Sequence, residues 1–217
     1  QLRFAQACRY LVSGDTGLGA DIAERSFEAL AKVTTTWYQP SRFVHESCLM
    51  LISGTLGDHA EELAAGIVQP EHPSVPHLAA PAAALGFAQR GDTQRGHEIV
   101  SRWFAPPPRS WTRIQAIAYW AQVAMELGVP DPDWLRSQLI TRAGQLAIVG
   151  AGADCGGAID SLLAGLAWRL GRLDEAAGRA QAGLALETQV GSRIWITRTE
   201  KLIAQIEGAA NPGSKVP

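Results

Sequence analysis

Leu162-Leu-Ala164-Gly-Leu-Ala167-Trp-Arg-Leu-Gly171-Arg-Leu-Asp-Glu-Ala176-Ala-Gly-Arg-Ala180-Gln-Ala-Gly-Leu184 reads as two helices joined by a tight turn. Apolar and small residues run up to Gly171, a residue type able to enter the left-handed conformation that ends a helix. Beyond it a second helix follows, whose Ala176, Ala180 and Leu184 recur at i, i+4 and i+8 on one face. This helical hairpin has counterparts throughout the chain. Glycines at 14, 54, 91, 128 and 171 each follow an apolar stretch, with spacings of 40, 37, 37 and 43 residues.

Two further columns repeat with these glycines. Seven residues before them stand Ala7, Ser47, Ala84, Ala121 and Ala164, all small; four before stand Tyr10, Met50, Phe87, Ala124 and Ala167, all apolar. A small residue lets the second helix of a pair approach closely, and an apolar residue one turn later fills the seam. Five residues after the glycine the pattern degenerates: Gly19, Gly96 and Ala176 are small, whereas His59 and Asp133 are not. A further amphipathic stretch, Ile194 to Ile206, predicts a capping helix. Residues 1–208 are expected to form one domain and 209–217 a disordered tail. The proline-rich stretches 70–81, 106–108 and 130–132 read as loops within that domain.

Composition agrees with helix. Ala (35) and Leu (22) make about a quarter of the 217 residues. Charged residues are 18%, so helices should pack on more than one side. A net charge of −2 and a pI near 6.2 argue against a nucleic-acid surface or an anionic-membrane binder. Arg outnumbers Lys 16 to 3, the bias expected of a high-GC bacterial genome. Cys8, Cys48 and Cys155 are odd in number, far apart and in no CxxC, which suits thiols in a reducing cytoplasm. No apolar run approaches the length of a membrane span. Gln1-Leu-Arg-Phe-Ala carries no Met and no leader pattern, and reads as the start of a piece cut from a longer chain.

Motifs for catalysis or ligand binding are few, and each has a plainer structural reading. Gly150-Ala-Gly152-Ala-Asp-Cys-Gly156 after Leu146-Ala-Ile-Val149 imitates a dinucleotide loop, but its third glycine falls one residue late and helical hairpins flank it. It reads as a glycine-rich connector ending a helix. His45-Glu46 and His97-Glu98 lack the second His of a zinc helix, and His72 and His77 sit in a proline-rich loop, so no metal is expected. Ser161 lies in no nucleophile elbow. No catalytic residues and no cofactor are assigned.

Leu170-Gly171-Arg-Leu-Asp-Glu-Ala176, followed by Ala185-Leu-Glu-Thr-Gln-Val-Gly191-Ser-Arg-Ile-Trp195-Ile-Thr-Arg198-Thr, resembles the tetratricopeptide-like region of large actinobacterial signalling proteins. The segment Gln145 to Asp160 resembles the part of that family preceding the last repeat. The resemblance covers about residues 135 to 205. In such proteins the array follows a STAND-type ATPase module and is linked to LuxR- or AfsR-like DNA-binding domains, adenylate cyclases or serine/threonine kinases. It implies an all-α fold: a right-handed α-solenoid of about five tetratricopeptide-like hairpins plus a C-terminal capping helix, without a sheet.

In such a solenoid the first helices of the pairs line a concave face, which usually meets the partner. Carrying the register over gives a groove row at Cys8, Cys48, Leu85, Gln122 and Gly165, and a second at Leu11, Leu51, Ala88, Met125 and Trp168. Val12, Ile52, Gln89, Glu126 and Arg169 form the rim, and Gln115 and Tyr119 join Gln122 as polar anchors. Trp168 is the candidate energetic anchor. The opposing reading is that these apolar rows close onto each other or onto neighbouring modules. The expected function is a non-enzymatic, cytoplasmic sensor or scaffold domain of a multidomain regulator. Its partner would be a protein or peptide, a flanking module of its own chain, or a small-molecule effector, without nucleic acid or membrane. A free-standing protein–protein adaptor and a helical enzyme with dispersed catalytic residues are the alternatives.

Overall fold

Gly14, Gly54, Gly91, Gly128 and Gly171 all take the left-handed conformation, with φ between +72° and +95°, and each ends a helix. Four of them close it with the same double hydrogen bond. At the first, the Gly14 N–H donates to Leu11 O (3.1 Å) and the Asp15 N–H to Tyr10 O (2.9 Å); Gly54, Gly91 and Gly171 repeat the arrangement. The residue four before the glycine is thus the one whose carbonyl accepts the outer bond. Gly128 uses one bond, from its N–H to Ala124 O.

The computed structural model describes residues 2–32, 38–67, 76–149 and 154–210. Around the five glycines lie α1 (Leu2–Ser13), α2 (Thr16–Ala31), α3 (Tyr38–Ser53), α4 (Ala60–Ile67), α5 (Pro76–Gln89), α6 (Thr93–Trp103), α7 (Arg113–Leu127), α8 (Pro132–Leu139), α9 (Ile159–Arg169) and α10 (Leu173–Gln189). A last helix, α11 (Arg193–Ala210), stands where the capping helix was expected. It runs two residues past 208, so residues 209 and 210, expected in the tail, are helical; 211–217 lie outside the described residues. The fold is predominantly helical, with one small sheet.

The small columns sit at the helix contacts. Ala7, Ala84, Ala121 and Ala164 are fully buried and Ser47 nearly so. A Cβ on Gly19 of α2 would stand 2.9 Å from Ala7 O, and one on Gly96 of α6 3.3 Å from Ala84 O. The column seven before one glycine therefore meets the column five after it. The second pair departs from this pattern. A cavity of about 200 Å³, lined by Phe43, Ser47 and Met50 of α3 and by Leu63 and Gly66 of α4, separates its helices, and α4 packs on α5 instead.

Two expectations are corrected. Leu146–Val149 forms a strand, β1, paired antiparallel with β2 (Asp154–Ala158) in the register Leu146↔Ala158, Ile148↔Cys155 and Val149↔Asp154. The segment is thus a β-hairpin, and the absence of a sheet does not hold. Ile148 and Val149, β-branched and adjacent, suit an extended strand better than a helix end. Gly150 to Ala153 lie outside the described residues, but β2 after them is an antiparallel strand, not the helix a dinucleotide loop opens. Secondly, residues 76–81, read as loop, are the first turns of α5 with Pro81 inside the helix. The buried run Leu78 to Leu85 offsets the amide that Pro81 lacks. Residues 70–75, including His72, lie outside the described residues, as does Trp37.

The β-hairpin fills the inside of the array. Strand β2 packs on α1, α3, α7, α9 and α10, and Cys8, Leu11, Cys48, Leu51, Leu85, Tyr119 and Cys155 share one hydrophobic core. Gly156 allows the approach: a Cβ there would sit 3.4 Å from the Ala118 and Ala147 methyls. Asp160 pins the hairpin base, accepting from the Gly144 N–H (2.5 Å) and pairing with Arg179 (2.6 Å). Helix α11 packs on α10 and also lies against α1, so the last helix touches the first.

Candidate functional site

Where α11 crosses the array it leaves a cavity of about 310 Å³ between α5, α7, β2, α9 and the end of α10. Its floor is built by a buried carboxylate. Glu187 lies on α10 four residues before Gly191, which joins the five helix-ending left-handed glycines (φ +71°) and closes its helix with the same double bond. The chain turn delivers Glu187 inward against β2. Its Oε1 accepts the Ala158 N–H (3.0 Å) and the Ser161 hydroxyl (3.0 Å), and Ser161 Oγ accepts from the Thr199 hydroxyl (2.9 Å). Glu187 Oε2 is buried and accepts no hydrogen bond among the described residues. Burial pushes the Glu187 carboxyl above its ordinary range, while the Ala158 N–H and the nearby Thr199 and Ser161 hydroxyls pull the other way. Ser161 fits against α10 because Gly183 has no side chain; a Cβ there would collide with Ser161.

Two α11 residues complete the wall. Trp195 is 5% exposed, donates its indole N–H to Cys155 O (3.1 Å), and lies against Gly157, whose φ is +85°. Arg198 reaches across the chain to the carbonyl of Leu51 near the end of α3, with its guanidinium 4.9 Å from the Trp195 ring. A cation suits that position, because the last carbonyls of a helix carry its negative end. Burial lowers the Arg198 pKa, and a guanidinium stays protonated regardless.

The expected groove residues divide three ways. Leu85, Gln122 and Met125 line this cavity, with the rim residues Gln89 and Glu126. Cys48, Leu51 and Tyr119 are fully buried beneath the β-hairpin, and Gln115 is 1% exposed. Trp168 and Arg169 lie elsewhere: Trp168 is half-buried against the Ala164, Ala176, Ala180 and Leu202 cluster, and Arg169 bonds the carbonyls of Met125 and Glu126 at the end of α7. Arg169 thus caps the end of α7. Among the described residues no group of His, Cys, Asp and Glu stands together as a metal site, and no helix is long and apolar enough to cross a membrane.

Glu187, Ser161, Trp195, Arg198 and Thr199 do not stand out in the sequence as a site. One signal is present. Extending the glycine column to Gly191 places Glu187 at the position held elsewhere by Tyr10, Met50, Phe87, Ala124 and Ala167, a charge in an otherwise apolar column. The 20-residue interval from Gly171 to Gly191, half the others, hides it. No family model, no curated protein and no solved structure matches this chain.

Proposed function

We propose that the chain is a non-enzymatic sensor or scaffold domain of tetratricopeptide-like type, part of a multidomain bacterial signalling or transcriptional regulator, whose internal cavity receives an effector. Its helix pairs succeed one another as solenoid repeats, and α11 returns to the first helix. The observation that carries the reading is the 310 Å³ cavity with the hydrogen-bonded Glu187 in its wall. Such a volume lies at the lower end of small-molecule sites, roughly 300–1,000 Å³. The β-hairpin packs on α1, α3 and α7, the first helices of three pairs and the surface an extended peptide would need in this reading, which favours a small effector, or a module docked outside, over a peptide in the groove. Occupancy of the cavity would bear on α11, and so on its contacts with α1 and α3.

A screen of small metabolites, read by melting temperature and by the Trp195 indole N–H signal, tests this. Compounds that raise the melting temperature and move that signal together are expected. If no compound does both, the reading gives way to a free-standing adaptor working through its outer surface. The Ser161–Glu187 contact is the feature that would favour an enzyme. In that case hydrolysis of an activated ester such as p-nitrophenyl acetate would be detected and would vanish in Ser161→Ala.

A further inference from the structure

The carboxylate of Glu187 has one oxygen used by the fold and one left over. Oε1 is held by the Ala158 N–H and the Ser161 hydroxyl, which fixes the plane of the group. Oε2 is buried and unpaired, in a residue that lines the cavity. A buried acceptor without a donor is costly to any fold, so a native protein that keeps one needs a reason, and a polar partner supplied at the site is one. The cavity lining holds a second unpaired polar atom, this one a donor: Gln122 Nε2 on α7 is also buried and without a partner. The rest of the lining mixes apolar residues, Leu85, Met125, Leu162 and Leu202, with the charged Glu126, Arg198 and Lys201.

We propose that the cavity binds a small molecule that donates an N–H to Glu187 Oε2 and rests an apolar body on Leu85, Met125 and Leu202. The proposal rests on the reading of the chain as an effector sensor and names the chemistry of the effector: an amine or amide on an apolar body. With Glu187 ionised, an acceptor-only group such as a carboxylate would meet Oε2 without a donor between them. Because Glu187 is closed to solvent and the Thr199 hydroxyl of α11 lies beside it, the proposal requires that part of α11 to shift before an N–H reaches Oε2. Binding therefore moves the helix that carries Arg198, whose guanidinium holds Leu51 of α3. An N–H beside Oε2 also favours the ionised carboxylate, so binding of an ammonium releases a proton wherever the free site is protonated.

Benzylamine, benzamide and benzoate share one body and differ only in the group presented, and they test the proposal on the unaltered chain. Titrated at millimolar concentrations against the Trp195 indole N–H signal, benzylamine and benzamide are expected to shift it, and benzoate to bind at least tenfold more weakly. Glu187→Gln, with folding checked by far-ultraviolet circular dichroism, should weaken benzylamine at least tenfold. Equal binding of benzoate overturns the N–H assignment and leaves the sensor reading standing. The same holds if none of the three shifts the signal while another metabolite does. If no compound of any kind shifts it, both fall. Unchanged benzylamine affinity in a folded Glu187→Gln variant removes Glu187 from the site.

Discussion

Glu187 ionises in a place that water does not reach, and that fact has a measurable consequence. An acid whose folded pKa is raised binds its proton more tightly in the native state than in the unfolded one. Stability therefore falls as pH rises from the ordinary value of about 4.5 through the folded pKa, and the loss is complete above it. Glu187→Gln keeps an oxygen for the Ala158 N–H and the Ser161 hydroxyl but cannot ionise. Its melting temperature should gain on that of the unaltered chain as pH rises from about 4.5 to neutrality, and a difference independent of pH would mean that Glu187 is not the titrating group. At Gly157 the limits are steric. Its φ of +85° disfavours any L side chain, and a Cβ would press within 2.9 Å of the Trp195 ring. Gly157→Ala should destabilise the fold by about 2–4 kcal/mol, combining backbone strain with overpacking. Chemical denaturation would measure this, and a change below about 1 kcal/mol would mean that the hairpin and α11 can separate without cost.

The helical hairpin is the element at which the glycine columns acquire physical meaning. In α9 and α10 Ala164 and Ala176 are both fully buried in one cluster, leaving no room for a longer side chain. Ala164→Leu is expected to cost ~1–3 kcal/mol through overpacking, read as a lowered denaturation midpoint with an unchanged slope. An unchanged midpoint would place Ala164 outside the seam. The surface ion pairs across this unit, Arg136 with Glu175 and Arg172 with Asp133, span α8 and α10 but sit partly in solvent, and contribute little next to the alanine packing. The degenerate column has an element-level explanation too. His59 lines a second opening beside α3, with Met50, Ser53 and Glu62, so no close approach is demanded there.

At the scale of the whole molecule the ends are joined. Arg198 links residues 147 positions apart, and α11 touches α1. Loss of that link should be felt at both ends of the chain. Arg198→Ala is expected to lower stability by about 2–3 kcal/mol, from the charged hydrogen bond and from the packing of its stem on Trp195. It should also speed amide exchange in α1 and α3 as well as in α11. Faster exchange confined to α11 would mean that the last helix is an independent cap.

What the sequence determined by itself is local: helix ends, helix number and the close seams. A left-handed turn needs glycine, and a close helix pair needs alanine or glycine. These demands are written at fixed offsets, so Gly14, Gly54, Gly91, Gly128 and Gly171 and their small partners could be read directly. The tertiary structure decided what fills the inside. Leu146 to Ala158 carries too few residues for periodicity to separate strand from connector, and its pairing depends on the walls of α1, α3 and α7 around it. The same holds for the site. Cys48, Leu51 and Tyr119 share the groove register with Gln122 and Met125, but the hairpin covers the first three and leaves the other two on a cavity. Glu187, Ser161 and Arg198 meet only because α11 folds back across the array, a long-range contact that no local pattern encodes.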